Sequence, residues 1–168
     1  MSENDSIIVD TTTRIFQDLC DPQTVNNAAD DSWKAPLWSA LEESGLTLTW
    51  VPDTLGGAGA DITDGFDVLR VAGAFAVPVP LAETLLAGWL LSQGDLTAPQ
   101  GPMTVAPVRG IAGITLGKDG KLKGRATQVP FARDADHIAV VAQRSGKAAI
   151  ALAARADCAI SEGQSLAD

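Results

Sequence analysis

The chain has 168 residues, 46% hydrophobic and 20% charged, which suffices for one good core or two small ones. Its 21 acidic against 12 basic side chains give a formal net charge of -9, which argues against nucleic acid and anionic membranes as partners. Two distant cysteines, Cys20 and Cys158, a single histidine, and no apolar run near the roughly 20 residues that a bilayer demands exclude a disulfide framework, a metal site and a membrane-spanning helix. The acidic opening Met1-Ser2-Glu3-Asn4-Asp5 is unlike a secretory leader, so the expectation is a cytoplasmic protein with free thiols.

A first helix is expected over residues 7–20, with Asp10 and Thr11 to Thr13 as capping oxygens and Ile15, Phe16 and Leu19 on its inner face. Ser32 reads as the cap of a second helix, with Pro36 in the first turn and Trp33, Leu37, Trp38 and Leu41 on one broad buried face. Gly45 stands where that helix ends. The connector that follows, Val51-Pro52-Asp53-Thr54-Leu55-Gly56-Gly57-Ala58-Gly59-Ala60-Asp61, holds three glycines within four residues. They permit positive φ and close backbone approach. The spacing G-G-x-G after Val-Pro is not the G-x-G-x-x-G of a dinucleotide loop, so a tight helix connection packed on the core is the better reading. Asp61 or Thr63 caps a third helix with Ile62, Phe66, Leu69 and Phe75 inward, stopped by Pro78. Pro80 opens a fourth over residues 81–93, with Leu81, Leu85 and Trp89 repeating every four residues.

From Gly94 the texture changes. Short β-prone runs are expected at residues 103–105, 110–116, 122–129, 137–142 and 147–154, and Asp119-Gly120 marks a hairpin turn. Helices followed by strands, not alternating with them, argue for an α+β chain: an N-terminal α-helical domain over residues 1–94 and a partial antiparallel β-barrel-like domain over 95–168, joined at residues 94–101. Charge marks the same division, with 15 acidic against 3 basic residues up to position 100 and 6 against 9 beyond it. The basic second half suits either a phosphate-bearing ligand or a solvated surface.

Residues with chemistry are sparse. His137 lies in an apolar run and reads as a strand histidine, while Ser145 and Ser161 lack G-x-S-x-G surroundings. Glu42 and Glu43 belong to the polar side of the second helix, and Glu83 belongs to the first turn of the fourth, where the helix dipole accounts for a carboxylate.

Three stretches carry a resemblance: Leu37-Trp38-Ser39-Ala40-Leu41-Glu42-Glu43-Ser44-Gly45-Leu46, the glycine connector, and Val77-Pro78-Val79-Pro80-Leu81-Ala82-Glu83-Thr84. Together they resemble the N-terminal helical domain of acyl-CoA dehydrogenases. Gly124-Arg125-Ala126-Thr127 through Ala135-Asp136 is similar to the family's middle β-domain, so the resemblance runs over residues 13–154. It implies an FAD-dependent oxidoreductase of fatty acid or steroid catabolism. An acyl-CoA thioester would be the substrate, an electron-transfer flavoprotein or other acceptor a partner, and the assembly a homo-oligomer or a heteromer with a larger dehydrogenase subunit. The family's Met-Thr-Glu-Pro segment falls on Met103-Thr104-Val105-Ala106-Pro107, which keeps Met103 and Thr104 and lacks the acid. Its flavin-contact segment falls on Gln128, Val129 and Pro130, of which Val129 is similar. The resemblance therefore implies flavin contacts at Met103, Thr104 and Val129 and no catalytic base in this chain. The family's C-terminal helical domain, which supplies that base, has no counterpart before Asp168. The expectation is a fragment or shortened form inactive alone, or a non-catalytic partner subunit.

Overall fold

The structure, a computed structural model, describes residues 3–107 and 113–161, with the side chains of all of these except 3–6 and 24. Among the described residues five α-helices precede five strands: α1 (Glu3–Leu19), α2 (Pro22–Asn27), α3 (Lys34–Glu43), α4 (Ile62–Ala74), α5 (Leu81–Ser92), then β1 (Met103–Ala106), β2 (Thr115–Leu116), β3 (Leu122–Lys123), β4 (His137–Arg144) and β5 (Lys147–Ala154). None of the described helices is long and apolar enough to cross a membrane.

α1 begins earlier than its threonines suggest. Asp10 and Thr11 to Thr13 lie inside it, and the Thr12 hydroxyl donates to the Ile8 carbonyl one turn back at 2.6 Å, which satisfies a buried polar group without a cap. The cap ahead of α3 is likewise Asp30 and not Ser32. The Asp30 carboxylate accepts the Ser32 N–H at 3.0 Å and starts a short 3-10 turn that leads into α3. Leu37 and Leu41 are fully buried, while Trp33 and Trp38 line the margin of the same core. Gly45 adopts φ 69°, as a helix terminator should.

The expected faces of α4 and α5 need correction. On α4 the buried residues are Asp64, Gly65, Val68 and Val71; of the four expected inward, Leu69 and Phe75 do pack on the helical core, while Ile62 and Phe66 are exposed. Trp50 causes this rotation. Its indole lies on Gly65, where an added Cβ would stand 2.0 Å from Nε1, and it donates to the Ile62 carbonyl at 3.0 Å. Phe66 is left to meet the edge of Trp50, with ring centroids 5.1 Å apart. On α5, Leu81 and Leu85 are buried but Trp89 is exposed. Each four-residue step turns about 40°, so two steps carry Trp89 onto the narrow outer stripe with Leu86. Leu81, Thr84, Leu85, Ala87, Gly88, Leu91 and Ser92 are buried, which makes α5 the central helix.

The sheet is mixed and open, not an antiparallel barrel. β4 is its hub: β1 and β2 pair with it in parallel, β5 pairs with it antiparallel, and β3 forms an antiparallel hairpin with β2. The hairpin turns at Asp119-Gly120, with Gly120 at φ 78° and the Gly117 N–H on the Lys121 carbonyl at 2.8 Å. Two expected strands contract. Of residues 110–116 only Thr115–Leu116 pair, residues 110–112 lying outside the described chain, and of 122–129 only Leu122–Lys123. Beyond Lys123 the chain leaves the sheet at Gly124, whose φ of 147° and approach to Ile114 suit glycine alone. The core forms three clusters: among the helices, between α5 and the sheet, and on the sheet's far side.

Candidate functional site

The glycine connector and β1 meet on α5. The connector doubles back on itself: Ala58, Gly59 and Ala60 donate N–H groups to the carbonyls of Leu48, Val51 and Thr49 at 3.2, 2.9 and 3.3 Å. Its glycines have separate tasks. Gly56 and Gly59 take φ of 84° and 59°, whereas Gly57 has an ordinary φ and is needed for space, since a Cβ there would lie 2.1 Å from the Val51 carbonyl oxygen. Val51, buried at the centre of this fold-back, presses on α5 at Gly88, where a Cβ would come within 2.7 Å of its Cγ2.

One turn earlier on α5, the buried Thr84 hydroxyl accepts the Met103 N–H at 2.9 Å. Its own proton lies between the Pro80 carbonyl at 2.7 Å and the Met103 carbonyl at 3.1 Å. A helix side chain thus occupies the backbone groups at the outer edge of β1, where none of the described strands pairs. Glu42 provides a second tie between helices and sheet. Its carboxylate accepts the Gly101 N–H at 2.7 Å, and Gly101, at φ 94°, lies against the Asp136 carboxylate. Glu42 is half-buried and structural, not the free surface carboxylate that its helix position suggests.

Alternation along β1 separates the sequence-derived candidates. Met103 is fully buried on the α5 side of the sheet. Thr104 points to the other side, where its buried hydroxyl donates to the Pro130 carbonyl at 2.7 Å, and Val129 packs on that same side. The structure therefore brings Thr104 and Val129 together and sets Met103 apart. The segment strapped to Thr104 is strained. Gln128 and Phe131 hold φ of 57° and 49°, left-handed conformations that cost of order 1–3 kcal/mol each outside glycine. The Phe131 carbonyl closes the turn by accepting the N–H groups of Asp134 and Ala135 at 3.1 and 3.0 Å.

Flavin, the group that the resemblance implies, does not fit this arrangement as a pocket. The side chains of Met103 and Thr104 are buried in packing, and the Thr104 proton is committed to Pro130. A cleft of about 420 Å³ lies elsewhere, between Ile7 and Ile8 of α1 and residues 58–61 of the connector. Another of about 230 Å³ lies at the far end of β4 beside Gly113 and Gln143. Neither reaches Met103, Thr104 or Val129. No cluster of metal-ligating side chains occurs among the described residues. His137, half-buried on the Met103 side of β4, leaves Nδ1 without a hydrogen-bond partner among them. Sequence reasoning missed Thr84, Glu42 and the Thr104–Pro130 strap. All three are contacts between elements far apart in the chain, and none has a local signature.

No family model matches the chain. Over 102 residues it is 30% identical to acyl-CoA dehydrogenase IpdE2 of Mycolicibacterium smegmatis, a match that covers 59% of this chain and 33% of that protein. Two solved structures share its fold. The ChsE4-ChsE5 complex from Mycobacterium tuberculosis superimposes with a TM-score of 0.71 at 24% identity, over 92% of this chain and 48% of that one. A glycine-to-alanine variant of the Tcur3481-Tcur3483 steroid ACAD gives 0.72 at 24% identity, with the same coverage. The chain thus has a partial acyl-CoA dehydrogenase-like fold, and it spans about a third of the curated relative and half of each solved neighbour.

Proposed function

We propose that this chain is an incomplete acyl-CoA dehydrogenase: the helical unit (residues 1–94) and the leading part of the β unit (95–168) of an FAD-dependent oxidoreductase acting on acyl-CoA thioesters, without turnover of its own. The observation that carries this reading is the fold match, in which 92% of the chain lies on one half of each solved neighbour. Dehydrogenation of an acyl thioester needs a carboxylate to take the α-proton and a flavin to take the β-hydride, facing each other across the substrate. In this reading both come from outside the described residues of this chain. Glu42 holds the Gly101 N–H, Glu43 accepts the Ser39 hydroxyl at 3.1 Å, and Glu83 sits in the first turn of α5. No step is therefore assigned to its residues. Met103 packs between α5 and the sheet and Thr104 with Val129 on the sheet's other side, so all three are scaffold in this reading, and the base and the flavin contacts come from elsewhere.

The second reading, a non-catalytic subunit of a heteromeric acyl-CoA dehydrogenase, is favoured by one of the neighbours being a complex of two differently named chains. A steroid-type acyl-CoA is the first substrate class to test, since the other neighbour is a steroid ACAD. Reduction of a dye acceptor is measured with short, medium and steroid-type acyl-CoA and added FAD, for the chain alone and mixed with a larger dehydrogenase subunit. The expected result is no turnover by the chain alone, because losing the base forfeits about 10²–10⁴-fold and losing the hydride acceptor removes the reaction. Activity that appears only on mixing supports the subunit reading. Turnover by the chain alone that disappears in Glu83→Gln would refute both and make Glu83 the base.

A further inference from the structure

α5 belongs to two cores at once. Its first turns bring Leu81 and Leu85 into the helical cluster with Phe16, Leu37, Leu41 and Val68, and its later turns bring Ala87 and Leu91 into the cluster that faces the sheet, with Met103 and Ala139. These four α5 side chains are at most 2% exposed. No other α-helix among the described residues has buried members in both clusters. The short turn after α3 divides in the same way, with Leu46 in the helical cluster and Leu48 packed against the sheet cluster.

Residues 94–101, where composition places the junction of two units, are packed and tied. Ala98 is buried in the sheet cluster beside Leu96, and a Cβ on Gly94 would stand 3.1 Å from the Cβ of Ile150 on β5. The Glu42 carboxylate accepts the Gly101 N–H at 2.7 Å, and the Thr84 hydroxyl engages both backbone groups of Met103. A boundary between independent units is an exposed linker that few contacts cross. Here the helices and the sheet both hold it. Helix formation is cooperative, because each hydrogen bond depends on the dihedrals of its neighbours. α5 has 12 residues, about three turns. Opening the sheet removes the cover of Ala87 and Leu91, and the fraying that follows reaches Leu85 about half a turn away.

We propose that α5 is a conformational coupler: the helices and the sheet open together through it, and neither opens alone. Whatever binds the closed form on one side then protects the other side by the same factor. This goes beyond the proposed function and does not depend on it. The full chain carries its own probes. All four tryptophans, Trp33, Trp38, Trp50 and Trp89, precede residue 94 and the chain has no tyrosine, so intrinsic fluorescence reports the helices. Amide exchange along β4 reports the sheet. In urea the two should share one midpoint. Val140→Ala removes two methyl groups from the cluster on the sheet's far side, which no described α-helix enters. It should lower the fluorescence midpoint as much as the β4 midpoint, and speed exchange at Leu85 and along β4 by the same factor, about tenfold. Separate midpoints in the unsubstituted chain, or a Val140→Ala chain whose fluorescence transition stays in place, would overturn the proposal. Where Val140→Ala does not fold its sheet, fluorescence still decides: an unfolded tryptophan spectrum supports the coupling, and a native one refutes it.

Discussion

Replacing Gly57 with alanine tests the connector directly, because the structure separates the two reasons for which glycine is used there. A Cβ on Gly57 would stand 2.1 Å from the Val51 carbonyl oxygen, 2.4 Å from its Cβ and 2.5 Å from its carbonyl carbon. Two of these atoms are backbone and Val51 is buried, so no flexible side chain can yield and the two limbs of the connector must part by about 1 Å. Overpacking of this kind costs about 1–3 kcal/mol. Parting the limbs also weakens the Gly57 N–H bond to the Pro52 carbonyl (3.0 Å) and the Gly59 N–H bond to the Val51 carbonyl (2.9 Å). Those contribute roughly 0.5–1.5 kcal/mol each. The expected loss is at most about 2–6 kcal/mol, which for a chain of this size lowers Tm by roughly 4–24 °C. Gly57→Val should cost more, since its branches add to the same clash. Gly56 is the control. An added Cβ there meets nothing within 4 Å, and only its φ of 84° resists alanine, at about 1–2 kcal/mol. Thermal unfolding followed by circular dichroism gives both numbers. Gly57→Ala melting with the unsubstituted chain, or Gly56→Ala proving the more damaging of the two, would refute the steric account of the connector.

Trp38 carries a buried Nε1–H without a partner among the described residues. Trp38→Phe should therefore leave chemical-denaturation stability unchanged or improved, while Trp38→Ala should cost about 3 kcal/mol by opening a cavity in the helical core. Thr84→Val keeps the shape of α5 but strands the Met103 N–H, and a loss of about 1–3 kcal/mol in the same assay is expected; no change would mean that the helix–β1 tie is dispensable. The two cysteines should differ toward a thiol reagent in the native chain: Cys158 reacts promptly, and Cys20, 1% exposed, only as the chain unfolds. Burial first, then the neighbouring Asp21 carboxylate, raises the Cys20 thiol above its ordinary 9.0. The unfolded chain releases that proton more readily, so the contribution of Cys20 to stability is intact below about pH 9 and declines above it. Cys20→Ala should flatten that alkaline decline, as read from unfolding midpoints against pH.

The sequence by itself determined the order and kind of the elements except α2 (Pro22–Asn27), whose polar residues read as a connection, because the rest of that information is local. Apolar spacing marked α3 and α5, Gly45 marked a helix end, and Asp119-Gly120 marked a hairpin; each depends on dihedral preferences of a few adjacent residues. The crowded glycines likewise announced a special connector. Tertiary structure alone decided which faces turned inward, since that depends on what lies opposite. Trp50 settling on Gly65 turned Phe66 outward, and the drift of four-residue spacing on α5 did the same to Trp89. It also decided that the sheet is mixed, because β1 pairs with a strand more than thirty positions later, by backbone bonds that carry no side-chain signature. The candidate site shows the same division. Met103, Thr104 and Val129 were legible as positions, but the pleat of β1 placed Met103 on one side of the sheet and Thr104 with Val129 on the other, with the Thr104 hydroxyl bound to Pro130.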